Sequence, residues 1–192
     1  MGSNFSPNMA NLYLHFYEST FLNRNHEEGR NRYKYTYRFI DDLISVNNRD
    51  IIFDVRSIYP RFLEITNTNP NSFNNASFLD IDIKINNNKF STKVYDKRRD
   101  FDFDILGLPA FSSNIPNKMA FGIICSQFIR FASVCMAKED FIYNCQLVIN
   151  KISNNGFPMW LLKNYVSKFQ YRKNRMLTKF ELGRDLHHLI EF

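Results

Sequence analysis

Eight residues, Tyr37-Arg38-Phe39-Ile40-Asp41-Asp42-Leu43-Ile44, constrain this chain more than any others. From Tyr33 to Val46 aromatic and β-branched residues recur with the period of a strand, and two adjacent carboxylates interrupt them. A tight turn resolves the conflict. It presents Asp41 and Asp42 at the tip of a hairpin, where Asp is tolerated at positions that most residues avoid.

Around that hairpin the pattern is mixed. Ser6-Pro7 reads as a helix start, with Ser6 able to cap and Pro7 acceptable in the first turn. Ala10, Tyr13, Leu14, Tyr17 and Phe21 then recur at helical spacing. Residues 23–32 read as a loop, and 50–59 as a short helix closed by Pro60. Strand character is expected over 62–66, followed by an Asn- and Pro-rich turn. A second hairpin is expected from Ser77–Ile85, a turn at Asn86-Asn87-Asn88, and Lys89–Tyr95. Beyond Gly107 and Pro109 the pattern becomes helical, from Pro116 to about Cys135 and from Glu139 to Asn154. Gly156-Phe157-Pro158 marks a break before a helix to about Arg175. Thr178 with Glu181 is a capping-box signature for a last short helix. The chain therefore reads as α+β, with a β-rich half over 1–106 and an all-helical half over 107–192.

Length and composition set wider bounds. The 192 residues, 44% of them hydrophobic, can bury a core. A net charge of +6 fits a polyanionic partner. No apolar stretch approaches the roughly 20 residues that cross a bilayer, and the N-terminus lacks a secretory pattern. Cys125, Cys135 and Cys145 form no paired-ligand motif and read as reduced, buried thiols of an intracellular protein. His187 and His188 are adjacent, so on a helix they diverge and make a poor chelating pair.

An Asp-Asp pair can be two solvated turn residues or a cation site. Adjacent carboxylates repel, a bound cation offsets the repulsion, and Mg²⁺ prefers hard oxygen ligands. The surroundings favour the cation. Gly2-Ser3-Asn4-Phe5-Ser6-Pro7-Asn8-Met9-Ala10-Asn11, followed by Phe39-Ile40-Asp41-Asp42, resembles two motifs of the reverse transcriptase palm. Phe39 stands where the family usually shows Tyr. Later segments resemble the Penelope-like branch: Phe78-Leu79-Asp80, Thr92-Lys93-Val94-Tyr95-Asp96-Lys97, Ser113-Asn114-Ile115-Pro116, and Ser126-Gln127-Phe128-Ile129-Arg130 before Val134-Cys135. Arg98-Arg99 replace a usual Pro-Thr, and Ile115 replaces His.

That resemblance implies a partial right-hand polymerase palm, β-hairpins with packed helices, followed by a helical thumb. Asp41 and Asp42 would be catalytic metal ligands for Mg²⁺, with Mn²⁺ as the alternative. Gly2, Ser3, Ser6, Pro7 and Phe39 would line the nucleotide and template. Residues 77–97 would grip the primer, with Phe78, Leu79, Lys97, Arg98 and Arg99 at the grip or on phosphate. Gln127, Arg130, Lys168, Arg172, Lys173 and Arg175 would be thumb contacts, with Lys163, Lys179 and Arg184 on the same basic helices. The implied partners are an RNA template, a DNA primer duplex and deoxynucleoside triphosphates, without stable membrane association, and the family implies the nucleus.

The family's third palm carboxylate and its basic fingers lie upstream of the Gly-x-x-x-Ser-Pro segment. The chain thus reads as the C-terminal palm and thumb, inactive alone. One alternative is a noncatalytic nucleic-acid-binding remnant. Another is an N-myristoylated membrane-surface protein, since Met1-Gly2 with Ser6 fits that acceptor pattern. Asp100-Phe101-Asp102-Phe103-Asp104 could place three carboxylates on one face of a strand, but is expected to be an exposed edge with Phe101 and Phe103 turned inward.

Overall fold

Helix α1 (Ser6–Arg24) carries Pro7 in its first turn. The computed structural model describes residues 4–25, 31–68, 74–102, 107–172 and 180, with no side chain described at 170–172. The cap position of α1 falls on Phe5, which has no side-chain acceptor, so Ser6 is the first helical residue rather than the cap. Ala10, Leu14, Tyr17 and Phe21 form the half-buried face of α1, while Tyr13 is exposed at 41%.

Strands β1 (Thr36–Phe39) and β2 (Asp42–Ser45) pair antiparallel, Thr36 opposite Ser45 and Phe39 opposite Asp42. The two-residue turn is therefore Ile40-Asp41, and Asp42 opens β2. Helix α2 (Ile51–Ile58) follows and ends before Pro60, as expected. Residues 62–66 form bends and coil instead of the expected strand. The Ser77–Ile85 segment is likewise two strands, β3 (Asn75–Phe78) and β4 (Ile81–Asn86), because Leu79 turns the chain with φ 56°. β4 pairs antiparallel with β5 (Lys89–Val94), and the two turn residues, Asn87 and Asn88, take φ 49° and 60°. Such left-handed pairs match the twist of a hairpin, and Asn adopts them at low cost.

The chain divides into two compact units, Met1–Leu79 and Asp80–Phe192. The hairpin β4–β5 thus belongs with the helices, although its composition groups it with the β-rich half. The reason is packing: Val94 is buried in the helical core, Thr92 Oγ1 donates to the Val134 carbonyl at 2.6 Å, and Met136 N–H donates to the Thr92 carbonyl at 2.9 Å.

A short 3₁₀ helix (Lys97–Asp100) leaves β5, so Asp100 and its neighbours do not continue as a strand. Phe101 is exposed, contrary to its expected inward turn, and 103–106 lie outside the described residues. Helices α3 (Lys118–Val134), α4 (Lys138–Asn154) and α5 (Met159–Arg172) complete the second unit. Each buries one stripe at spacings of three and four: Ala120, Ile124, Phe128, Phe131; Phe141, Cys145, Ile149, Ile152; Leu162, Tyr165, Val166, Phe169. Phe128 packs edge-on against Phe169, ring centroids 5.3 Å apart. Each fully buried large side chain contributes about 1.5–3 kcal/mol. Cys135 and Cys145 are buried in this core and Cys125 is half-buried; none of the three forms a disulfide among the described residues.

The first unit is built differently. Val55 is the only fully buried apolar side chain among its described residues. Phe5, Met9, Leu12 and Phe16 on α1, and Tyr37 and Phe39 on β1, stand exposed. The capping-box residues Thr178 and Glu181, the histidines His187 and His188, and the acceptor pattern at Met1-Gly2 all lie outside the described residues.

Candidate functional site

Alternation on β1 turns Thr36 and Arg38 inward and Tyr37 and Phe39 outward. Arg38, half-buried, then becomes the fastener of the hairpin. Its Nε meets Glu18 Oε1 at 2.5 Å and its Nη2 meets Glu18 Oε2 at 3.2 Å, a forked contact with α1. Its Nη1 donates to Asn11 Oδ1 at 2.7 Å and to the Ile40 carbonyl at 2.9 Å. One guanidinium therefore ties the Ile40-Asp41 turn to the helix bearing the Ser-Pro-x-x-Ala-Asn segment. Tyr59 OH donates to Glu18 Oε1 at 2.6 Å from just beyond α2.

Burial alone would raise the Glu18 carboxyl, but hydrogen bonds from Arg38 and Tyr59 outweigh it and hold the group below the usual glutamate range. Burial and the bond to Glu18 push the Tyr59 phenol well above its ordinary value. Arg38 is held more firmly protonated by Glu18.

Ile40 sits at φ 55°. A β-branched residue in this region is a steric outlier, with a cost on the order of 1–3 kcal/mol that its surroundings must sustain. Here the surroundings are Arg38 and the strand pairing on both sides. The result is a braced tip on which Asp41 and Asp42 are both exposed. Two exposed, adjacent, hard-oxygen donors fit a divalent cation as part of its ligand set. Among the described residues, no third Asp, Glu, His or Cys joins them in a group.

The other nominated residues fall in several places. Gly2 and Ser3 lie outside the described residues. Ser6 and Pro7 are exposed at the start of α1, and Phe39 is exposed beside the turn. In the first unit Phe78 is half-buried and Leu79 is largely exposed at its turn.

In the second unit, Asp80 of the Phe-Leu-Asp segment meets Arg130 of the Ser-Gln-x-x-Arg segment, Oδ2 to Nε 2.6 Å. Gln127 Oε1 accepts weakly from Arg130 Nη1 at 3.4 Å. Arg98 folds back on Asp96, Nε to Oδ1 2.8 Å; its hydrogen bond, more than the opposing burial, lowers the Asp96 carboxyl. Arg99 Nη2 donates to Asn144 Oδ1 at 2.8 Å, and Lys97 is exposed. Several nominated cations are thus fasteners of the fold as well as charges at its surface.

Lys163 and Lys168 lie on the exposed face of α5 with Trp160, Asn164 and Ser167. The spacing of three, four, seven and eight from Trp160 puts all five on one stripe. Sequence reasoning named the lysines but missed Trp160, which is 68% exposed on an otherwise core-forming helix. The Arg172 side chain, and all of Lys173, Arg175, Lys179 and Arg184, lie outside the described residues. Glu18, Tyr59 and Asn144 were also missed; lone polar residues in helical segments give no local signal of a partner distant in sequence.

Residues 108–167 match the animal helix-turn-helix domain family. The match spans α3, α4 and most of α5, and includes the turn at Gly156, whose φ of 87° suits glycine. No curated protein and no solved structure matches the chain. Among the described residues, no helix is long and apolar enough to cross a membrane.

Proposed function

We propose that this chain is the palm-and-thumb part of a retroelement reverse transcriptase, acting in RNA-templated DNA synthesis. The observation that carries the reading is the Arg38 tie, which fixes an exposed Asp-Asp hairpin tip against the helix of the Gly-x-x-x-Ser-Pro segment. Asp41 would be the principal ligand for Mg²⁺ and Asp42 a secondary one. Cations held there would activate the attacking hydroxyl and neutralise the leaving phosphates. Asp41 and Asp42 supply only part of that site, so catalysis requires a third carboxylate joined to the same tip.

Primer extension tests this. The chain is joined to a palm segment that carries the third carboxylate and supplied with an RNA template, a DNA primer and Mg²⁺. Template-dependent incorporation that Asp41→Asn abolishes is expected. Extension unaffected by Asp41→Asn, or none with the completed enzyme, would sink the reading.

A second reading is favoured by the helix-turn-helix match and by the α5 stripe: nucleic-acid binding by the second unit without catalysis. Helix-turn-helix domains present their second helix to a nucleic-acid groove. Lys163 and Lys168 would meet phosphates, with Trp160, Asn164 and Ser167 beside them. Salt-sensitive duplex binding by a chain that shows no extension even when completed would favour this reading.

A further inference from the structure

A cavity in the second unit brings together four residues nominated above for primer or thumb contact, Arg98, Arg99, Gln127 and Arg130. It has a volume of about 520 Å³, within the range of pockets that take small molecules. It opens between the end of β5 with the 3₁₀ helix on one side and α3 with α4 on the other. Among the described residues, four cationic side chains, Arg98, Arg99, Arg130 and Lys151, line it against one carboxylate, Asp96. Two of the four are committed: Arg98 to Asp96, and Arg130 to Asp80.

Arg99 and Lys151 form no ion pair among the described residues. Arg99 is nevertheless held in place. The Asn144 side chain, 4% exposed, accepts from Arg99 Nη2 at 2.8 Å and is itself anchored by donating to the Asp140 carbonyl at 2.6 Å. The Arg99 guanidinium also lies over the Tyr143 ring, 5.7 Å from its centroid. A buried amide spent on orienting an unpaired guanidinium toward a cavity is an arrangement for an anion.

The rest of the wall narrows the class of anion. Leu108, Ile123, Leu147 and Val148 give an apolar side, and Gln127 and Asn154 give amides. Inorganic phosphate would leave that apolar wall unused, and a lipid headgroup would need no enclosed apolar side. A base with its sugar and phosphate uses all three surfaces. We propose that this cavity binds a nucleoside monophosphate unit, its phosphate on Arg99 and Lys151 and its base against the apolar wall. The unit could come from a free nucleotide or from the 5′-phosphorylated end of a strand, which share this chemistry. The cavity belongs to the second unit alone and does not depend on a metal at Asp41.

Calorimetric titration of the full chain with adenosine 5′-monophosphate, adenosine and inorganic phosphate tests the assignment. The monophosphate is expected to bind about tenfold or more tightly than either fragment, as a charge-assisted contact gives. Arg99→Gln could loosen Asn144, whereas Lys151 is exposed and Lys151→Gln leaves the packing intact. A loss of about tenfold in either variant, with melting unchanged, supports the site. Affinity no better than that of adenosine or of phosphate, or parental affinity in both variants, overturns it. A 5′-phosphorylated tetranucleotide that binds as tightly as the monophosphate assigns the site to strand ends; weaker binding assigns it to free nucleotide. Duplex binding measured on the same preparation separates this outcome from the proposed function, since a silent monophosphate with a bound duplex overturns the cavity alone.

Discussion

Arg38 concentrates at one residue the forces that shape the hairpin tip. Its partner Glu18 has a carboxyl held below the value of about 4.3 expected in an unfolded chain. The native state therefore gains stability that is fully present above that value and is lost as pH falls through the lower, folded one. Tyr59 works in the opposite direction: its raised phenol contributes below about pH 10 and is lost above it. Exchange of the β1 and β2 amides followed from pH 7 to pH 3 should show protection falling in the acid limb. Glu18→Gln should flatten that limb and cost about 1.5–3 kcal/mol at neutral pH, as expected for a hydrogen-bonded, half-buried charge. Ile40 is the opposite case, a residue whose backbone opposes its place. Ile40→Asn, which tolerates the left-handed region, should raise stability by about 0.5–1 kcal/mol in denaturant titration. A loss of stability there would show that the side chain of Ile40, not its backbone, matters to the turn.

At the scale of elements, burial period separates what each helix does. α3 and α4 present stripes that close the core, and α5 closes it with one face while exposing Trp160, Lys163, Asn164, Ser167 and Lys168 on the other. Phosphate contacts by both lysines would each steepen the dependence of affinity on salt by roughly 0.7–0.9 in log–log slope. The double variant Lys163→Gln/Lys168→Gln should therefore weaken binding to an RNA–DNA duplex and flatten the slope by about 1.4–1.8, read by fluorescence anisotropy between 50 and 200 mM salt. An unchanged slope would return the stripe to an ordinary solvated face. The hairpin β4–β5 shows why elements cannot be grouped by type. Its strands read clearly from alternation, yet Thr92 and Val94 bind it to the helices, and no local pattern announces that.

Across the whole molecule the two units differ in how they are held. The second has a continuous core from Val94 to Phe180 with many side chains fully excluded from water, whereas the first rests on Val55, half-buried aromatics and the Glu18–Arg38–Tyr59 network. Amides of α3 and α4 should accordingly exchange far more slowly than those of α1 and β1, in two separate classes. A single shared exchange class would mean that the units unfold together. Local signals in the chain were enough for the period-two strands around Asp41-Asp42, the Asn-Asn turn, the Pro-bounded helix α2, and the helices after residue 107. They also placed one carboxylate, Asp41, in the hairpin turn, because adjacent charges amid alternating aromatics leave few other placements; Asp42 opens β2 beside it rather than sharing the turn. The tertiary structure alone decided which residues meet. It paired Arg38 with Asn11 and Glu18, Arg130 with Asp80 and Arg99 with Asn144, separations of 20 to 50 residues along the chain. It also broke Ser77–Ile85 at Leu79 and drew β5 into the helical core. Periodicity records which face of an element is apolar, whereas a hydrogen bond between distant side chains depends on how those faces are laid together, which no single segment encodes.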